Sequence, residues 1–166
     1  MLAAHELFAF MSPALALEII ETTHASEREH YRNLLNAVAE MRHVRPLFLE
    51  RKPRPERHLA MAESLGKPRL EPAAITLLQV WLLKTQSAML ADFLNALAIP
   101  HENGAVDSLP EVMADAQLTA AVEGLLARHP RENVAVYLRA FNDLSQANWP
   151  NLAALLDHDP RLQLGA

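Results

Sequence analysis

The chain has 166 residues, a formal net charge of −5, 51% hydrophobic residues and no cysteine. That length suits one ordinary domain with enough buried surface to need no covalent staple, and the missing cysteine excludes disulfides, thiolate metal sites and cysteine nucleophiles. The apolar content rests on Ala and Leu with only 4 Gly, a composition that favours helix over strand.

The expected fold is therefore all-α: a bundle of six to seven helices around a central apolar helix at about 72–98. No stretch reaches the length of about 18 uninterrupted apolar residues that a membrane span needs, and the cysteine-free composition suits a reducing cytoplasm. Charge is uneven. Residues 42–69 carry a net +5, whereas residues 1–41 carry −4 and residues 70–166 carry −6.

In chain order, Ala4, Leu7, Phe8, Met11 and Leu15 share one face at helical spacing. Ser12-Pro13 reads as a helix start, with Ser12 as cap and Pro13 in the first turn. Ser26 and Glu29 have capping-box spacing, and Tyr31, Leu34, Leu35, Val38 and Met41 form the next stripe. Residues 1–45 are thus expected to form an N-terminal helical arm or hairpin. Its leading stripe of Leu7, Phe8, Met11 and Leu15 is a candidate self-association surface for a homodimer.

Residues 46–71 hold Pro46, Pro53, Pro55 and Pro68, and each proline disfavours helix at the residue before it. This basic connection, with a short helix from Pro55 to Leu65, is the expected boundary between the N-terminal arm and a C-terminal bundle, or equally a wrapping connection within one domain. It is also the candidate contact for a protein or other anionic partner through Arg51, Lys52, Arg54 and Arg57. Nucleic acid fits it poorly, because the belt lacks stacking aromatics apart from Phe48.

Residues 72–160 read as a C-terminal bundle. Ile75, Leu77, Leu78, Val80, Trp81, Leu82 and Leu83 are apolar around the whole circumference, which predicts an enclosed helix. Pro100 and Asn103-Gly104 mark a turn or short hairpin. Ser108 and Glu111 repeat the capping-box spacing before a helix ending near Arg128, and Gly124 within it predicts close approach of a neighbouring helix. Two further helices follow, the first with Val134, Tyr137, Leu138 and Phe141 on one side.

Three Glu-x-x-His pairs invite a metal reading, and His24, Glu27 and His30 are its candidate ligands. His101, Glu102 and Asp107 form a polar loop candidate. No catalytic glycine, serine or phosphate-loop signature is present, and no cofactor is expected. The leading reading is a non-enzymatic helical protein working through protein–protein contact. The alternatives are a metal- or small-ligand-binding enzyme and an anionic-partner binder.

Overall fold

Every regular element in the computed structural model, which describes residues 1–165, is helical. The residues divide into two units, one from Ala3 to Lys84 and one from Thr85 onward that also takes in Met1–Leu2. The first holds α1 (Ala4–Phe10), α2 (Pro13–Ser26), α3 (Arg28–Met41), α4 (Pro46–Glu50), α5 (Arg54–Leu65) and α6 (Glu71–Lys84), with a 3₁₀ turn at Pro68–Leu70. The second holds α7 (Ser87–Ala96), α8 (Asp115–Arg128), α9 (Arg131–Leu144) and α10 (Pro150–His158), then a 3₁₀ turn at Pro160–Leu162. Among the described residues ten α-helices replace the expected six or seven, and the proline-rich residues 46–71 lie inside the first unit.

The first unit packs α2 and α6 together, with α1, α3 and α5 around them. Leu7, Leu15, Ile19, Ile20, Leu34, Val38, Met61, Leu65, Leu77 and Trp81 are buried. Ser12 accepts a hydrogen bond from the Leu15 N–H at 3.2 Å, with Pro13 behind it, as the spacing predicts. Ser26 does not start a helix. It ends α2 and donates its hydroxyl to Thr22 O at 2.7 Å, while Glu27 caps both α2 and α3.

The predicted helix over 72–98 is two helices, with its buried residues divided between two cores. Ala74, Leu77, Leu78, Val80 and Trp81 belong to α6, and Met89, Leu90, Phe93 and Leu94 to α7. Nor is α6 enclosed all round. Gln79 faces solvent and Leu83 is 50% exposed.

The enclosed helix is instead α9, where Val134 to Asn142 are buried at nine consecutive positions. Its polar members, Arg139 and Asn142, each bond a backbone group, although the Arg139 Nε stays without a partner. Arg139 donates to Leu156 O at 2.8 Å, at the carbonyl end of α10 where a cation is favourable. Asn142 Oδ1 accepts the Trp149 N–H at 2.8 Å. Phe93, Tyr137, Phe141 and Trp149 form an aromatic cluster with ring centroids 5.2–6.0 Å apart, edge-on except for the tilted Tyr137–Phe141 pair.

The helix predicted from Ser108 begins only at Asp115, with Ala114 as its cap. Tertiary partners hold the stretch before it. Trp149 Nε1 donates to Pro110 O at 2.9 Å and Asn151 Nδ2 to Met113 O at 2.7 Å, giving those carbonyls an alternative to a helical ladder.

Asn103-Gly104 does form a tight turn. Both residues have positive φ, 53° and 90°, and Glu102 and Ala105 exchange two backbone hydrogen bonds of 2.9 Å, the pattern of a type I′ turn. A Cβ on Gly104 would stand 2.9 Å from Leu90 Cδ2, so glycine is required there twice over. Gly124 is the reverse: nothing lies within 4 Å of its added Cβ, so no neighbouring helix explains it.

These two glycines make opposite predictions. Gly124→Ala should stabilise the protein by about 0.5–1 kcal/mol, since an open helical site only loses chain entropy to glycine. Gly104→Ala should destabilise it by about 1–3 kcal/mol through its backbone conformation, with the Leu90 clash added. Denaturant midpoints of both full-length variants check the pair.

Candidate binding groove

Helix α5 organises the first unit by what its two faces do. Its sequence places His58, Met61 and Leu65 on one side and Leu59, Ala62 and Gly66 on the side next to it, each at helical spacing. The first side is buried and the second is open to solvent in varying degree.

His58 is only 2% exposed and sits in a chain of polar groups. The Tyr31 hydroxyl lies 2.8 Å from its Nε2, and Glu21 Oε1 lies 2.7 Å from its Nδ1, an electrostatic contact rather than a well-directed hydrogen bond. A carboxylate facing Nδ1 favours the proton there, which leaves Nε2 to accept from Tyr31. Glu21 Oε2 is bound by Arg54, whose guanidinium also lies 3.0 Å from His24 Nδ1. The rings of His24, Tyr31 and His58 meet edge-on, 4.6–5.7 Å apart. This chain ties α2, α3 and α5 together.

Burial is the main influence holding His58 below the ordinary histidine range, with Glu21 opposing it and the Arg57 and Arg54 charges adding to it. Burial and the Arg54 and Arg28 charges lower His24 as well. Burial alone would raise Glu21, but the Arg54 hydrogen bond and the His58 and Arg54 charges outweigh it, and its carboxyl lies low. Burial raises the Tyr31 phenol. The residue types are those of an acid–base relay, yet its inner members are buried and occupied with one another, so the chain acts as a fastening.

The neighbouring side of α5 forms one wall of an open groove of about 560 Å³. Phe8, Ala9, Met11, Pro13 and Ala16 from α1 and α2, Met41 from α3, and Leu59 and Ala62 from α5 supply its apolar lining. Gly66, at the end of α5, packs against α1, where an added Cβ would stand in van der Waals contact with Ala9 at 3.4 Å. The polar lining is Arg42, Glu63, Ser64 and Lys67. Arg42 is engaged by Ser64 Oγ at 3.0 Å, Ala60 O at 3.1 Å and, loosely, Glu63 at 3.4 Å. Lys67 is exposed and has no carboxylate in ion-pair range among the described residues.

No match to this chain is found among family models, curated proteins or solved structures.

The residues singled out from sequence part company. The self-association stripe is covered by its own unit: Leu7, Phe8, Met11 and Leu15 are all buried, and Phe8 and Met11 line the groove. The three candidate metal ligands have separate neighbours. His24 meets Arg54, Glu27 pairs with Lys84 at 3.6 Å, and His30 stands apart on α3. Among the described residues no three His, Asp or Glu side chains group to hold a metal ion.

Of the basic belt, Arg54 binds Glu21, Arg57 donates to Glu50 O at 3.3 Å and lies over the Tyr31 ring, and Lys52 lies 5.1 Å over the Phe48 ring. Arg51 remains exposed. In the loop candidate, His101 holds the turn. Its Nδ1 accepts the Gly104 N–H at 3.1 Å and its Nε2 meets Asn95 Oδ1 at 2.8 Å, while Glu102 pairs through backbone and Asp107 faces solvent.

Sequence reading missed the groove because its walls come from three separated stretches. The signal available was the second, small-residue stripe of α5.

Acid should loosen the fastening. A histidine whose folded value is depressed gives full stability above its unfolded value near 6.5, and that stability is lost as pH falls toward the folded value. The denaturant midpoint of full-length protein should thus drop between neutral pH and pH about 5, by at most about 1.4 kcal/mol per pH unit for each such histidine. His58→Gln, which stays neutral, should flatten that slope. An unchanged slope would show that His58 is not its source.

Proposed function

We propose that this is a non-enzymatic binding protein whose first unit takes up the apolar chain of a small amphiphile with an anionic end. The groove carries the reading. Its volume lies within the roughly 300–1,000 Å³ usual for small-ligand sites, and its lining is apolar with a few polar groups at the edge. Methionine walls suit an unbranched chain, because the thioether side chain fills irregular space and adapts. Glu63 has Arg42 beside it, whereas Lys67 has no carboxylate partner of its own, so the free charge beside the apolar floor is positive.

This reading differs from self-association through the N-terminal stripe, whose side chains already lie inside their own unit. It supports uptake of a ligand, with no chemical step attached.

Three probes sharing a dodecyl chain test it by calorimetry below their micelle concentrations: dodecanoate, dodecyl maltoside and dodecyltrimethylammonium. Dodecanoate should bind most tightly. Ala62→Trp, which fills the groove from α5, should abolish its binding, and Lys67→Glu should remove its advantage over the other two. Absence of binding by all three, or binding that Ala62→Trp leaves intact, defeats the proposal.

A further inference from the structure

Helix α4 presents a surface unlike any other in the first unit. It has five residues, Pro46 to Glu50, and its chief packing is against α3. Leu49 alone anchors it, fully buried, while its neighbours Leu47 and Phe48 are 51% and 55% exposed. A single exposed apolar residue is ordinary, but two adjacent large ones on a short helix ask for a partner.

The cations around them narrow the choice. Arg45 precedes α4 and Arg51 and Lys52 follow it, against one acid, Glu50. Arg45 and Arg51 are exposed and no ion pair engages them among the described residues. The Lys52 amine lies over the Phe48 ring rather than on a carboxylate, which keeps the positive charge beside the apolar tip. None of these residues lines the groove.

From this arrangement we infer that α4 is a docking element for an anionic lipid surface, with Leu47 and Phe48 entering the interface and Arg45, Arg51 and Lys52 meeting the headgroups. A bilayer interface accommodates a short apolar tip without needing a matching pocket. Its two attractions, apolar insertion and headgroup charge, are the two that this element offers. A protein partner would need a pocket shaped to both side chains. No helix among the described residues is long and apolar enough to cross a membrane, so the contact is peripheral.

Co-sedimentation of the full-length protein with vesicles tests the inference. One set is phosphatidylcholine alone and the other is phosphatidylcholine mixed with phosphatidylglycerol. The protein should bind the phosphatidylglycerol vesicles, bind the neutral ones far less, and dissociate as salt rises. Arg51→Glu with Lys52→Glu should weaken binding by roughly fivefold or more for each cation removed. Leu47→Ser with Phe48→Ser should weaken it by about tenfold or more. All four side chains are surface groups, and matching thermal melts establish that the variants fold.

No binding to anionic vesicles, equal binding to neutral ones, or unchanged binding of the double serine variant would each overturn the inference. Poly-glutamate serves as the acidic-polypeptide arm. If it binds through Leu47 and Phe48 while vesicles do not, α4 is a contact for an acidic protein and the lipid assignment is wrong.

Discussion

A seven-residue helix cannot hold itself together in water, because nucleation costs more than so few hydrogen bonds return. Helix α1 exists because Glu71, at the start of α6, closes its open end. The Glu71 carboxylate accepts the N–H groups of Ala4 and His5 at 2.9 and 2.8 Å and meets the His5 ring at 2.6 Å. Burial opposes its ionisation, but the His5 and Ala4 donors outweigh burial and keep the carboxyl below its ordinary range. A negative group at a helix N-terminus satisfies orphan donors and the dipole together. With Ala4 and Leu7 fully buried beside it, this cap helps hold α1 where Phe8 and Met11 line the groove.

The second requirement is that α5 stay pressed against α2 and α3 while leaving its other side open. Apolar packing of Met61 and Leu65 supplies the bulk of that adhesion, and the Tyr31–His58–Glu21–Arg54 chain gives it direction. The buried His58, hydrogen-bonded to the Tyr31 phenol and facing the Glu21 carboxylate, adds a polar contact from α5 to both α3 and α2 on top of that packing. The side of α5 that carries Leu59 and Ala62 is thereby set opposite α1. Of the cations read from sequence as partner contacts, Arg54 binds Glu21 of α2, and Arg57 donates to Glu50 O and lies over the Tyr31 ring.

Sequence made the helices legible wherever local chemistry decided them. Pro13 behind Ser12 and Asn103 before Gly104 each act through their own backbone, and both formed as expected. It failed where a distant residue decided. Trp149 and Asn151 hold the stretch after Ser108 out of a helix, and no local pattern carries that information. Apolar circumference also proved a poor guide to enclosure. Helix α6, apolar all round in sequence, leaves Leu83 half exposed, whereas α9 is buried through Arg139 and Asn142 because backbone groups accept or donate to both. The groove was the least legible feature, since residues near 8, 41 and 62 meet only through tertiary packing.

The thioethers in the groove give it a chemical sensitivity that purely hydrocarbon walls would lack. Met11 lies buried in the lining and Met41 stands half open there. An oxidant that reaches Met41 converts its sulfur to a sulfoxide, a polar and chiral group in place of a pliant apolar one. The same groove would then disfavour the apolar chain proposed for it, and reductive repair of that single atom would restore its apolar wall.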